Sequence, residues 1–191
     1  MGKYVKVSSD SSKNFKAYKA TKATLSIDDN VDLDNHTGSE IDKYYRVDFI
    51  NSSVTVASGK KMYGTDAGKL KQAIAQANFD GGNVGDVKVT NNGTIDYSKK
   101  GATAIVVDFG QATNNGLIKM DAANGTGENS VGLFGASGSI LTNSSTGEIQ
   151  LGTRGVGIWG ANKIDSSLAS WSKNINIINA GKIRGIAGKE G

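Results

Sequence analysis

A short phrase returns four times between Val87 and Ile183, and it constrains this chain more than any other feature. In its fullest form it reads apolar residue, Thr, Asn, a polar link, then Gly, any residue and Ile. The copies are Val89-Thr90-Asn91-Asn92-Gly93-Thr94-Ile95, Ala112-Thr113-Asn114-Asn115-Gly116-Leu117-Ile118, Leu141-Thr142-Asn143 through Gly147-Glu148-Ile149, and Ile177-Ile178-Asn179-Ala180-Gly181-Lys182-Ile183. A unit this short cannot bury its own apolar face, so the copies must stack on one another. Their unequal spacing places insertions between them.

A second ladder runs beside the first: Val106-Val107-Asp108-Phe109-Gly110, Val131-Gly132-Leu133-Phe134-Gly135 and Val156-Gly157-Ile158-Trp159-Gly160, each step 25 residues long. Equal steps predict that Phe109, Phe134 and Trp159 stack on successive rungs ~4.8 Å apart, with Val106, Val131 and Val156 beside them. Asn91, Asn114, Asn143 and Asn179 fall where the chain must turn between faces. Asn tolerates the left-handed conformation, and like side chains in register can hydrogen-bond along a ladder. The Gly two residues before each Ile would relieve a tight corner. Ile95, Ile118, Ile149 and Ile183 are expected to fill the interior. The two ladders together read as the corners and inward strands of a parallel β-helix.

Composition agrees with many tight turns between short strands. The 191 residues include 26 Gly but no Pro and no Cys, which argues against collagen and Pro-rich linkers. A net charge of +4, from 22 basic and 18 acidic residues, is too small an excess to mark a nucleic-acid binder. No stretch is apolar over the ~20 residues needed to cross a bilayer. Both ends read as fragment boundaries, the last falling just after a repeat has begun.

Before the repeats, Leu25, Ile27, Val31 and Leu33 alternate with polar residues at the period of a half-buried strand. Tyr45, Val47 and Phe49, then Val54 and Val56, continue as strands. Lys13, Lys16, Lys19 and Lys22 could form a basic patch for lipopolysaccharide or an acidic glycan, but a solvated strand explains them more simply. Asn30, Asp32 and Asp34 open like a calcium loop. The sixth position is then Asn35 where Gly is required and the twelfth is Ile41 where a bidentate Glu is required, so no metal site is expected. Ala67, Leu70, Ile74 and Ala77 fall at helical spacing, with Thr65 or Asp66 as cap and Gly81-Gly82 as stop. The expected division is a β-rich N-terminal subdomain or additional irregular rungs over 1–64, an amphipathic capping or inserted helix over 65–82, and β-helix rungs over 83–191. The helix, followed by a Val-rich strand, resembles the capping helix of many pectate-lyase-like β-helices.

The Gly-x-Ile phrases combined with the repeated Val-Gly-Leu/Ile-Phe/Trp-Gly phrases resemble the passenger region of type V autotransporters, especially the large fusobacterial-type outer-membrane adhesins. The resemblance covers 87–186. It implies a right-handed parallel β-helix, exported to the cell surface through a C-terminal membrane barrel that lies outside this sequence. It also implies a stalk-like virulence factor whose partners are host-cell or bacterial surface receptors, protein or glycan. The absence of Cys is consistent with passage through a narrow pore. No residue-level binding motif of the family transfers here.

The largest interruption of the repeats, 161–173, carries Leu168 and Trp171 in a polar setting and is the candidate ligand loop, since insertions in a solenoid leave the rod as loops. The alternative is that both side chains fold back on the rod. An enzymatic rival, a β-helix polysaccharide lyase or hydrolase, would need clustered carboxylates or basic residues on adjacent rungs. Asp96, Asp108, Asp121, Glu148, Arg154 and Arg184 do not recur at the rung spacing, and one His with no Cys leaves little for a triad or a thiolate zinc site. No catalytic residue and no cofactor is therefore expected. An unpaired strand edge near Ile183 would permit end-to-end self-association.

Overall fold

The computed structural model describes residues 20–21, 24–33, 48–50, 53–64, 72–77, 87–120, 129–161 and 174–185. The chain makes the same three-strand circuit six times. The first circuit is β1 (Ala20–Thr21), β2 (Thr24–Ile27) and β3 (Val31–Asp32), and the second is β4 (Asp48–Ile50), β5 (Ser53–Val56) and β6 (Lys61–Gly64). Then come β7 (Gln72–Ala77), β8 (Lys88–Asn91) and β9 (Thr94–Tyr97), followed by β10 (Thr103–Asp108), β11 (Gln111–Asn114) and β12 (Leu117–Met120). The last two are β13 (Val131–Ala136), β14 (Ile140–Asn143) and β15 (Glu148–Leu151), and β16 (Val156–Ala161), β17 (Asn176–Asn179) and β18 (Lys182–Gly185). Each strand pairs in parallel with the strand three places on. Three parallel six-stranded sheets result: β1-β4-β7-β10-β13-β16, β2-β5-β8-β11-β14-β17 and β3-β6-β9-β12-β15-β18.

Register converts the sequence repeats into columns. Val31, Met62, Ile95, Ile118, Ile149 and Ile183 lie one above another in the third sheet, and Val54, Val89, Ala112, Leu141 and Ile177 do so in the second. From Val31 to Ile149, and from Val54 to Leu141, every member of these columns is buried. A fully buried Ile or Leu is worth about 1.5–3 kcal/mol, so stability accrues with each circuit added. In the last circuit the same columns open to solvent, with Ile177 51% and Ile183 40% exposed. The expectation that Ile183 fills the interior thus fails for want of a rung above it. Ile27, Val31, Leu33, Val54 and Val56 are buried, and their strands enter the same three sheets as those after Val87.

The first sheet departs from simple alternation. Ala73 and Ile74, then Ala104 and Ile105, are adjacent in sequence yet wholly buried, so the strand bends there and turns two successive side chains inward. On the next circuits the small member is Gly132 or Gly157, where a Cβ would come within 2.8 Å of Ile149 Cγ2 or 2.7 Å of Ile183 Cγ2. A small residue at this step makes room for the Ile column of the third sheet.

Two expectations are corrected here. The amphipathic helix over 65–82 is not formed where the structure describes it: Gln72–Ala77 is strand β7, between β4 and β10. The spacing of Ala73, Ile74 and Ala77 matched a helix face because the inward bend places adjacent apolar residues in a strand, a pattern that mimics helical periodicity over six residues. The remaining positions of that range lie outside the described residues. The aromatic ladder is real for only one step: Phe134 pairs with Trp159, but its partner on the other side is Val106, and Val131 pairs with Thr103. Phe109 instead occupies the corner after β10 with φ 53°, buried to 5% exposure. The insertion around 121–128 lengthens that step, and the equal spacing of 25 from Val106 to Val131 was coincidental.

The repeat Gly residues serve close approach more than conformation. Gly93, Gly116, Gly147 and Gly181 do not appear among the residues with positive φ. A Cβ on Gly116 would stand 2.1 Å from the carbonyl oxygen of Gly93, and one on Gly181 would stand 2.3 Å from that of Gly147. Gly116→Ala is therefore expected to lower unfolding free energy by at least about 2 kcal/mol through overpacking against backbone that cannot yield. Gly101→Ala, at φ 67° with nothing within 4 Å, is expected to cost only about 1 kcal/mol of backbone strain. Denaturant unfolding of the two variants checks the difference.

Candidate functional site

The four repeat Asn residues are brought into a single hydrogen-bonded column inside the corner between the second and third sheets. Asn91 Nδ2 donates to Asn114 Oδ1 at 2.8 Å, Asn114 Nδ2 to Asn143 Oδ1 at 2.8 Å, and Asn143 Nδ2 to Asn179 Oδ1 at 2.9 Å. Each amide also donates to a backbone carbonyl one rung on, those of Leu117, Glu148 and Lys182 respectively. At the lower end Asn91 Oδ1 accepts from the Gly93 N–H, because Val56 stands in the column beneath it. Asn91, Asn114 and Asn143 are wholly buried, so these bonds cover donors and acceptors that have no access to water. None of the four is among the residues with positive φ. Left-handed tolerance is thus not the reason for Asn here, and the ladder is.

Candidate chemistry elsewhere is dispersed. Among the described strands no pairing brings two carboxylates into register, and no group of three or more His, Cys, Asp or Glu could hold a metal ion. Asn30 of the calcium-like stretch accepts from the Lys61 N–H at 3.0 Å, which occupies its side chain in fold closure, and Asp34 lies outside the described residues. Asp96 pairs with Lys61 at 2.8 Å. Asp108 lies opposite Ala77 and Ala136, not Leu133, and its Oδ1 is buried without a hydrogen-bond partner, as is Gln72 Oε1.

The outer surface carries two features that adhesion could use. On the first sheet Val106, Phe134 and Trp159 form an outward column; Phe134 meets Trp159 edge-to-face at 5.4 Å and 84°, and Trp159 is half exposed. The candidate loop begins directly beyond β16, so Trp159 stands near its root. Leu168 and Trp171 lie outside the described residues, as do Lys13, Lys16, Lys19, Lys22 and Asp121. On the third sheet Glu148 accepts from Gln150 Nε2 and pairs with Arg184, one rung on, at 2.6 Å. This charge set was legible but unread: aligning the copies on Gly147 and Gly181 puts Glu148 over Lys182 and Gln150 over Arg184.

No family model, curated protein or solved structure matches this chain. The functional reading therefore rests on the geometry and on the sequence resemblance alone.

The hydrogen bond from Gln150, followed by the hydrogen bond and charge of Arg184, holds the Glu148 carboxyl below its usual range. Because the folded value is depressed, the pair's contribution is complete above the unfolded value and is lost as pH falls through the folded one. An NMR titration is expected to place the Glu148 midpoint below that of an ordinary Glu, and Arg184→Ala to move it up. For the ladder, Asn114→Ala strands the Nδ2 of Asn91 and the Oδ1 of Asn143, and a cost of about 2–4 kcal/mol is expected from two buried unsatisfied groups. Asn179→Ala, at the exposed end, is expected to cost less than about 1 kcal/mol. Equal losses at the two positions would show that the ladder does not depend on burial.

Proposed function

We propose that this chain is a rod segment of a right-handed parallel β-helix, serving as stalk and scaffold of a bacterial surface adhesin of the autotransporter type. The observation that carries this reading is the six-fold repetition of one three-strand circuit with its side chains in unbroken columns. Parallel strands joined by crossovers are right-handed in about 98% of cases, which gives the coil its proposed hand. Resemblance of the Gly-x-Ile and Val-Gly-Leu/Ile-Phe/Trp-Gly phrases to autotransporter passengers supplies the class and, with it, location outside the cell. The interior spends its polar groups on Asn amides bonded to one another, which suits a structural rod, and the loops that leave it are where a receptor would be met. Host-cell or bacterial surface receptors are the proposed partners, engaged through 162–173 beside Trp159.

Beads coated with the chain are expected to be retained on epithelial monolayers or bacterial lawns. Replacing 162–173 by a short Gly-Ser link should reduce retention several-fold while leaving the thermal unfolding of the rod in place. In parallel, the chain is expected to release no unsaturated product from uronate polymers. Sustained turnover on such polymers would overturn the stalk reading in favour of a β-helix lyase, and undiminished retention after loop replacement would remove the loop from it.

A further inference from the structure

The last circuit exposes a surface whose chemistry specifies what fits on it. Asn179 receives the ladder through Oδ1, and among the described residues no carbonyl follows to receive its own Nδ2. Beside it Ile177 and Ile183 leave both interior columns open, at 51% and 40% exposure. Strands β17 and β18 are exposed throughout, and each has a partner along one edge only. The outer face of β18 adds two cations, Lys182 and Arg184.

We propose that β17 and β18 form a docking surface for an extended segment from another chain that carries the repeat phrase with an acid after its Gly. The fit has a precedent within the molecule. Segment 140–151 already lies on 111–120, whose corner, Asn114-Asn115-Gly116, has the same length as Asn179-Ala180-Gly181. In that precedent Asn114 donates to Asn143 Oδ1 and to the Glu148 carbonyl, the Glu148 N–H donates to the Gly116 carbonyl at 2.9 Å, and Gly147 lies so close to the Asn114 carbonyl that a Cβ would be 2.3 Å away. A segment of the same sequence set on the last circuit meets the same corner. Its Asn accepts from Asn179, its Gly passes over Gly181, and its Leu and Ile close the columns above Ile177 and Ile183.

Charge makes the fit selective. The acid of the incoming segment falls over Lys182, where the internal precedent offers only Leu117. The segment therefore gains an ion pair that its internal counterpart lacks at that level. Backbone hydrogen bonds supply the affinity of such strand addition, while the Asn, Gly and acid positions supply its specificity. This docking depends on strand register alone and holds whether or not the rod serves adhesion.

The test uses a fluorescein-labelled peptide with the sequence of 140–151, titrated against the full chain by fluorescence anisotropy. Saturable binding is expected, with hydrogen-exchange protection appearing at 176–185. Peptides with the changes equivalent to Gly147→Ala or Glu148→Lys should bind about ten-fold more weakly or worse, and Asn179→Leu in the chain should weaken the parent peptide by a comparable factor. Absence of saturable binding up to ~1 mM peptide overturns the proposal, as does equal binding of the altered peptides. Concentration-dependent self-association in size exclusion that the peptide does not displace would assign the surface to a second copy and equally overturn it.

Discussion

A stack of short parallel strands lives or dies at its corners, because there the chain turns inward and the sheet ladder can no longer satisfy every polar group. In this protein the corner between the second and third sheets is closed by two devices working together. The Gly of each circuit lets the turn lie directly on the carbonyls of the turn below, and the Asn amide fills the space inside with donors and acceptors that find one another. Neither works alone. Without Gly the rungs could not approach closely enough for the amides to meet, and without the amides the close approach would bury carbonyls such as those of Leu117 and Glu148 short of donors. The apolar columns beside the corner then follow as a consequence, since strand register is already fixed by the polar one.

The same logic explains why a chain of modest hydrophobicity can order itself. Each circuit contributes few large apolar side chains, yet each is shared between the circuit below and the circuit above. Burial is therefore cooperative along the axis, and the last circuit shows the counterpart: Ile177 and Ile183 have the sequence of core residues and the exposure of surface ones. Bulk is handled by pairing small with large where the first sheet bends, so that Gly132 and Gly157 lie under the Ile column of the third sheet.

What could be read from the sequence was decided by how local the signal was. The Asn column and the inward Ile residues were legible because the phrase that carries them is contiguous and its corner is short. Phe109 was misplaced because its position depends on an insertion around 121–128, and spacing alone cannot separate a rung from a rung plus an insertion. The strand Gln72–Ala77 was mistaken for a helix because two adjacent inward residues erase the alternation by which strands are recognised. The outward pair of Glu148 and Arg184 went unread for a different reason: its members are 36 residues apart and acquire meaning only once the register between β15 and β18 is known. Leu168 and Trp171 fall outside the described residues, so the candidate loop keeps the standing that sequence alone gives it.

The Asn column also has an electrical side. All of its amides point the same way, nitrogen toward the later circuit and oxygen toward the earlier one, so their dipoles add head to tail as peptide dipoles do in a helix. The column sits where water does not enter, which leaves the summed field poorly screened along its length. Its positive pole emerges at Asn179, on the same end that bears Lys182 and Arg184. Seen electrostatically, the rod is thus not a symmetric spacer but a polarised one: two such ends repel each other, and an anionic group is drawn to one end of the molecule and not to the other.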